Sequence, residues 1–426
     1  MLAQEVGSLL RENLAPRGPA NALFAESLAA AQHQARPLLL IFDRSADMSP
    51  LLLHTSTYQA LVDDLLDHRL NRVTVDVSAK EETAKKRTYD LNTQSDAFYS
   101  LYAGEPFPEA VQANERELAE VSQREAEVRT RPTTALPEGK SVDLSAAIES
   151  LPEILAKKAN LEAHTNILHA VMSHIAAREI PTFFEIEQAI LAAGAIPDKQ
   201  QLLDLLRDGS KGNIADKARL LLIVALVAEV NAPKAQWDAF ETAFVQGCAV
   251  LPSPPPKDQV DRMLSAVSFT RKLQTLQSPM GSKSGGGNNY AGGKGGNRLT
   301  SLLSAAGKGA TSLMAQATSF FTSFNPLYVS RVVDNLSEGR SCVEADTFCT
   351  VDPRAKQTDL VDVRGTKYSD VYVFIVGGGC YAEYFNLQEL RKLSAEAGNT
   401  LRHVGYGSTE IISADTFLQQ LQALGR

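Results

Sequence analysis

Short apolar strands alternate with helices at both ends of this chain, and a long helical stretch lies between them. Residues 36–43 form a continuous apolar run that ends in aspartate, which is typical of a strand buried on both faces of a parallel sheet. The same alternation returns near the C-terminus, with strands predicted at 370–376 and 401–406 and helices at 382–397 and 414–424. Strand–helix–strand order implies right-handed crossovers. We therefore predict a discontinuous parallel-sheet α/β domain that is interrupted by a large, mostly α-helical insertion.

The boundaries of this insertion follow from changes in pattern. The first α/β part continues through a helix that begins near Tyr58 and an alternating strand at 72–77. Residues 79–96 are charged and polar, and they are interpreted as a linker. The first α/β part is therefore predicted to span residues 1–78.

A helical hairpin is the clearest feature inside the insertion. A polar helix at 107–129 is followed by a proline-containing loop at 130–145 and by a longer, more apolar helix at 146–179. A helix as polar as the first one either projects into solvent or packs against a partner. The pattern therefore predicts a helical hairpin over about 107–179.

Composition narrows the classes of function. A formal net charge of −8 argues against a dedicated nucleic-acid-binding protein, which concentrates basic charge. The four cysteines form no C-x-x-C pair, which indicates reduced thiols in an intracellular compartment.

The longest apolar run, residues 220–228, would rise about 14 Å as a helix, far less than the thickness of a bilayer core. No signal peptide is expected, and the glycine-rich segment 281–297 is predicted to be a flexible loop without chemistry.

One glycine-rich turn has the form of a nucleotide-binding fingerprint. Gly377, Gly378, Gly379 and Ala382 match G-x-G-x-x-G/A between a predicted strand and a predicted helix, where a pyrophosphate can bind a helix N-terminus. The acidic residue expected at the end of the next strand is absent. The alternative is a tight turn that needs positive φ angles. A Rossmann-like nucleotide-binding enzyme that uses this turn is kept as the alternative function.

Asp43, Arg44 and Asp47 follow the first predicted strand, at the sheet edge where α/β active sites lie. The cluster suits a metal or a substrate, or it forms a buried charge network in which Arg44 bridges two carboxylates. We favour the structural interpretation, because the sequence has no recognisable nucleophile–base pair. No catalytic residue is therefore predicted.

Three histidines at 164, 169 and 174 give no metal signal. Their spacing of five residues turns neighbouring side chains about 140° apart on a helix, whereas a zinc pair on one face needs i, i+4 spacing. They are interpreted as core or surface residues. We predict neither a metal nor a cofactor.

The stretch RPLLLIFDRSADMSPLLLHTSTYQALVDDLLDHRLNR, residues 36–72, resembles the signature of the SM family, the Sec/Munc-type syntaxin-binding proteins. The resemblance rests on a set of structural signature positions: Asp43, Arg44, Asp47, Pro50, His54, Tyr58 and Gln59. Four further segments agree in order, among them SLPEILAKKANLEAHTNILHAVMSHIAARE and YSDVYVFIVGGGCYAEYFNLQEL. Within the family, the chain is most similar to the Sly-type branch that serves ER–Golgi transport.

The resemblance implies a non-enzymatic SNARE-assembly chaperone. Such a protein binds syntaxin-type SNAREs and SNARE bundles and promotes vesicle docking and membrane fusion in ER–Golgi transport. It is expected to be cytoplasmic and monomeric, peripheral at ER and Golgi membranes through its SNARE partners alone, and without affinity for nucleic acid.

SM proteins form an arch of three domains. The resemblance assigns the α/β domain, residues 1–78 with 320–426, to the second domain of the arch, and the mostly helical insertion, residues 79–319, to the third. The family's first domain has no counterpart here, so we expect an N-terminally truncated arch. Because the first domain carries the pocket for the syntaxin N-terminal peptide, that activity is not expected. A truncated sheet is also expected to expose an edge.

The third domain's hairpin holds SNARE motifs in register in this family. The resemblance therefore implies a partner-binding set on the second arm: Leu144, Ile148, Leu151, Pro152, Leu155, Lys158 and Leu161. The alternative is that these leucines form the hairpin core. Pro152 is expected to kink or end the helix. The loop at 130–145 resembles a lid-like loop of the Sly branch.

Overall fold

The computed structural model describes residues 2–14, 36–77, 85–130, 144–228, 233–277, 325–342, 348–352 and 365–425. The described helices are α1 (Leu2–Leu14), α2 (Tyr58–Leu65), α3 (Ala97–Tyr102), α4 (Phe107–Thr130), α5 (Leu144–Arg178), α6 (Ile180–Ala193), α7 (Lys199–Arg207), α8 (Ile214–Ile223), α9 (Lys234–Ala249), α10 (Lys257–Gln277), α11 (Tyr328–Ser337), α12 (Tyr381–Glu396) and α13 (Ala414–Leu424). The described strands are β1 (Leu38–Asp43), β2 (Asp67–Arg69), β3 (Arg72–Val77), β4 (Lys85–Asp90), β5 (Asp370–Val376) and β6 (His403–Ser408).

The chain divides into two compact units. The α/β unit comprises residues 1–51 and 324–412, and the helical unit comprises residues 52–323 and 413–426. These units do not coincide with the predicted domains, whose boundaries after residues 78 and 319 stay a prediction. The difference arises because α2, β2 and β3 lie in the helical unit, and because α13 packs there against α10.

The α/β unit contains the predicted parallel sheet. Its strand order is β1-β5-β6, and Leu40 pairs with Val373 at the centre of the first ladder. The side chains of Leu40, Phe42, Val371 and Val373 lie in one core with those of α11 and α12. Non-local pairing of residues about 330 positions apart thus builds the sheet that the sequence predicted. The α/β fold class with a helical insertion is confirmed.

The opposite face of this sheet carries apolar side chains that stay partly exposed. Leu39 on β1 is paired with Tyr372 on β5, and both side chains are exposed, as is Phe374 two residues further on. These residues alternate along their strands with the core residues, because successive side chains of a strand point to opposite faces of the sheet.

The predicted linker at 79–96 is wrong in part. Lys85–Asp90 form β4, which pairs antiparallel with β3 along the full length of both strands. The strand at 72–77 therefore belongs to a separate antiparallel sheet of order β2-β3-β4, and not to the parallel layer. Residues 79–84, the loop at 131–143 and the glycine-rich segment 281–297 lie outside the described residues.

Pro152 was expected to kink or end the helix, and of these two expectations the helix end is wrong. α5 runs from Leu144 to Arg178 with Pro152 inside it. Proline removes one backbone N–H donor from the helix ladder. The C-terminal turns of α5 bury Ile167, Leu168 and Val171, and this packing favours the continuous helix. Among the described helices, none is long and apolar enough to cross a bilayer.

Candidate functional site

The hairpin of α4 and α5 is held together by polar contacts along its length. Lys158 Nζ lies 2.7 Å from Glu125 Oε2, and Asn114 Nδ2 donates to Thr165 Oγ1 at 2.8 Å. Later residues of α5 thus meet earlier residues of α4, so the two arms run antiparallel. The hydrogen bond from Lys158 is the main cause that lowers the pKa of Glu125.

An apolar seam lies between the arms. Leu161 of α5 is fully buried, as are Ile167 and Val171, and Val111 and Val121 of α4 are buried with them. Leu161 follows Leu155 by six residues, which turns its side chain about 240° around the helix. Leu161 is therefore a core residue, as the alternative interpretation of the leucines held.

A different face of α5 stays accessible. Leu155 is 38% exposed, Pro152 is exposed, and Leu151 is half-buried. Lys158 is half-buried and is paired with Glu125 across the seam. Leu144 and Ile148 lie on the helix, but their side chains fall outside the described residues. The predicted partner-binding set therefore separates into an accessible apolar patch, which we call the Leu151–Leu155 face, and residues that hold the hairpin together.

A buried network of polar side chains links α5 to α2 and to the start of α3. His164 Nε2 lies 2.8 Å from Asp96 Oδ2, and His164 Nδ1 lies 2.9 Å from the Tyr58 hydroxyl. The carboxylate of Asp96 also caps α3 by accepting the Tyr99 N–H at 2.8 Å. Burial raises the pKa of Asp96, but the bond from His164 and the other bonds outweigh it and lower the pKa. Tyr58, a signature residue, thus fixes the position of the hairpin arm.

Arg44 is the centre of the loop that follows β1. Its guanidinium makes two hydrogen bonds to Glu383, at 2.9 and 2.6 Å, and donates to the backbone oxygens of Asp47 and Gly378. The prediction that Arg44 bridges two carboxylates of its own cluster is therefore wrong, because the carboxylate that it binds is that of Glu383. Glu383 was missed, because it lies in the first turn of α12, far away in the sequence.

The two aspartates of the cluster act within their own turns. Asp43 accepts the Ser45 N–H at 2.9 Å. Its pKa is lowered mainly by a hydrogen bond with the Ser45 side chain, and the bond from the Ser45 N–H adds to this effect. Asp47 accepts the Ser49 N–H and hydroxyl, and burial raises its pKa. Pro50 is buried in the following short turn. Among the described residues, no group of three or more His, Cys, Asp or Glu side chains is arranged to hold a metal ion.

The glycine turn uses its backbone donors internally. The N–H groups of Gly377 and Gly378 donate to Thr409 Oγ1 at 3.1 and 3.2 Å. The Gly379 N–H donates to the backbone oxygen of Glu410 at 2.8 Å. A pyrophosphate would need these same donors. The φ angles of Gly377 and Gly378 are 100° and 97°, so the interpretation as a tight turn with positive φ is confirmed.

His54 lies in a buried charge network of the helical unit. Its Nδ1 is 2.7 Å from Glu187 Oε1, and its Nε2 is 3.1 Å from Asp216 Oδ1. Burial and the charge of Arg219 lower the pKa of His54, but Glu187 and Asp216 outweigh them and raise it. The network joins the segment after the sheet loop to α6 and α8. The neighbouring signature residue Gln59 is half-buried in α2.

This geometry predicts how stability depends on pH. Because the pKa of His54 is higher in the folded state, the folded state binds more protons, and its extra stability is lost as pH rises through that raised pKa. The free energy of unfolding of the helical unit should fall from about pH 6.5 upward. His54→Gln should remove this component of the slope, whereas His169→Gln, at an exposed position of α5, should retain it. Urea unfolding at several pH values measures how the free energy of unfolding of each variant changes with pH. The same pH dependence in the native protein and in His54→Gln would contradict the assignment of this effect to His54.

Comparisons with known proteins agree on one family. The model of the Sec1 family matches residues 1–420. The human "Sec1 family domain-containing protein 1" is 32% identical over 100% of this chain and 66% of its own length. The "Protein sly1 homolog" of Drosophila melanogaster is 31% identical over 92% of this chain and 60% of its own length. The chain thus spans less than two thirds of the length of these relatives.

Solved structures show the same fold. The crystal structure of Sly1p in complex with an N-terminal peptide of Sed5p has a TM-score of 0.63 and 23% identity, covering 100% of this chain and 62% of that one. The SM protein Vps45 in complex with the Qa SNARE Tlg2 has a TM-score of 0.60 and 17% identity, covering 100% of this chain and 65% of that one.

Proposed function

Because the chain belongs to the Sec1 family, we propose that it is a SNARE-assembly chaperone. It would bind syntaxin-type and other ER–Golgi SNAREs, singly and as bundles, and promote vesicle docking and fusion in ER–Golgi transport. Similarity to proteins named Sly1 supports this branch, and the solved relatives include complexes with a Sed5p peptide and with the Qa SNARE Tlg2.

The observation that carries the proposal is the accessible Leu151–Leu155 face on a firmly anchored hairpin. The face lies on α5, which His164 fixes to Asp96 and Tyr58 at its centre. SNARE motifs are disordered alone, and ordering them as helices costs conformational entropy. A preformed apolar helix face offsets part of that cost, in the way a groove binds an amphipathic helix. The hairpin is therefore suited to hold a SNARE motif before the bundle closes.

The proposal includes the cellular setting. The protein would act in the cytoplasm, peripheral at ER and Golgi membranes through its SNARE partners, as a monomer without a cofactor. It would not be an enzyme. Internal use of the N–H donors of Gly377, Gly378 and Gly379 supports this choice over the nucleotide-binding alternative.

Charge on the Leu151–Leu155 face should weaken SNARE binding. Leu151→Asp together with Leu155→Asp places two carboxylates where apolar side chains of a SNARE helix would pack, and binding is expected to weaken about tenfold or more. Leu101→Asp, at a 66% exposed position of α3, is the matched control and should bind as the native protein does. Fluorescence anisotropy with a labelled syntaxin-type SNARE motif measures the affinities.

Circular dichroism separates this outcome from unfolding. The double variant should keep the native helical signal, because Leu155 is exposed and Leu151 is half-buried. Unchanged SNARE affinity in a folded double variant would contradict the assignment of the binding face. Loss of helical signal would mean that the two leucines belong to the hairpin core.

A further inference from the structure

A cleft opens beside α5 in the helical unit, one to three turns beyond the Leu151–Leu155 face. Its volume is about 380 Å³, and it lies between α5 and the end of β4. A volume of this size is within the range of pockets that bind small ligands or large side chains. Neither the hairpin seam nor the anchor network fills this space.

One wall of the cleft is made of small residues. Ala156, Ala159 and Ala163 line it from α5, and Leu91 lines it from the segment after β4. Ala159 and Ala163 follow Leu155 at intervals of four residues, so they continue the accessible apolar face of α5 along the helix. A partner helix that packs on Leu155 would therefore bring its next turns to the cleft.

The cleft also has acidic residues in its lining. Asp90 and Asp96 both line it, and no lysine or arginine does so among the described residues. Asp90 is paired with Arg72 at 2.9 Å, but both side chains are largely exposed, where water screens such a pair. The cleft thus combines aliphatic and acidic lining residues.

The carboxylate of Asp96 retains capacity to accept a hydrogen bond. Its Oδ1 accepts from the Tyr99 N–H and from Asn160 Nδ2, and its Oδ2 accepts from His164 Nε2. A carboxylate offers about four acceptor positions, so these three bonds leave one. The other ring nitrogen of His164, Nδ1, lies 2.9 Å from the Tyr58 hydroxyl, so only Nε2 of this ring bonds to Asp96.

We propose that this cleft accepts an arginine side chain of a helix that is bound on the Leu151–Leu155 face, which rests on the proposed SNARE-binding function. The methylene stem would lie along Ala159 and Ala163, as long basic side chains cover apolar surface. The guanidinium would donate to Asp96 and Asp90, since its flat fork of donors suits carboxylates. The partner helix therefore carries an arginine one to three turns beyond the apolar residues that contact Leu155.

A small probe tests the cleft without any SNARE. Nα-acetyl-arginine amide, titrated into the protein and followed by NMR shifts, should bind in the millimolar range. Ala159→Leu should abolish the shifts by filling the cleft, and Asp90→Asn should weaken binding up to about fivefold. Ala177→Leu, at an exposed position on the same helix, should have no effect. Equal binding of Nα-acetyl-norleucine amide, with no effect of Asp90→Asn, would overturn the choice of a basic side chain.

A second experiment separates this inference from the proposed function. Ala159→Leu should weaken binding of an assembled ER–Golgi SNARE bundle by about tenfold, whereas Ala177→Leu should not. A bundle that binds the native protein and Ala159→Leu equally would refute the role of the cleft and leave the proposed function intact. A bundle that binds neither the native protein nor any variant would refute the proposed function. The arginine probe would still decide whether the cleft binds a basic side chain.

Discussion

Asp216→Asn should lower the free energy of unfolding of the helical unit by about 3–5 kcal/mol, the usual cost of breaking a buried charge pair. Asp216 accepts hydrogen bonds from His54, from both donor nitrogens of Arg178 that face it, and from the Asn213 N–H at the start of α8. Burial raises its pKa, but the bonds from His54 and Arg178 outweigh burial and hold the pKa far below its ordinary value. The variant would leave the buried His54 and the partly buried Arg178 without their shared carboxylate.

Urea unfolding followed by circular dichroism measures this loss. Asp204→Asn is the matched control, because the Asp204 side chain is 62% exposed and its pair with Arg207 spans 3.8 Å. The control should change the free energy of unfolding by less than about 0.5 kcal/mol. A loss below 1 kcal/mol in Asp216→Asn would contradict the view that the network holds the unit together.

Arg44→Met should destabilise the α/β unit by a similar amount, about 3–5 kcal/mol. The side chain of Glu383 is fully buried, and Arg44 is its charge partner through two hydrogen bonds. Arg44 also donates to two backbone oxygens that shape the loop after β1 and the turn after β5. Methionine keeps the volume of the side chain but supplies none of these donors. The cost is therefore that of an uncompensated carboxylate in the core.

Hydrogen exchange of the β1 and β5 amides reports on this unit specifically. Arg36→Met is the control, because Arg36 is 56% exposed and pairs with Asp352 near the surface, so its loss should cost less than about 1 kcal/mol. The double variant Arg44→Met with Glu383→Leu should regain much of the lost stability, because it removes both charges. A double variant as unstable as Arg44→Met would mean that the destabilisation comes mainly from the lost hydrogen bonds between the Arg44 side chain and the two backbone oxygens.

Local signals predicted the strands of the parallel sheet and the last helix of the chain. The apolar run before Asp43 and the alternating run before Gly377 are strong strand patterns, and both strands form as predicted. Ser413 accepts the Thr416 N–H at the start of α13, as its position before an apolar helix pattern suggested. In each case a few neighbouring residues carry the information, so the sequence alone sufficed.

Non-local contacts explain what the sequence did not reveal. β4 reads KKRTYD, whose charges resemble a linker, and only its pairing with β3 makes it a strand. Glu383 lies 339 residues from Arg44, so no spacing rule connects them. Leu161 and Leu155 were both assigned to the partner-binding set of the second hairpin arm, but a six-residue step places them on different faces of the helix. The sequence therefore assigned the proposed binding site only to a helix, and the folded neighbours of that helix are needed to separate its surface residues from its core residues.

Calorimetric titration of the purified chain with a preassembled ER–Golgi SNARE bundle tests the central claim most directly. We predict saturable binding at micromolar concentrations that is lost in the Leu151→Asp, Leu155→Asp variant and kept in Leu101→Asp. A cooperatively folded protein that binds no bundle would contradict the proposal that the hairpin holds SNARE motifs.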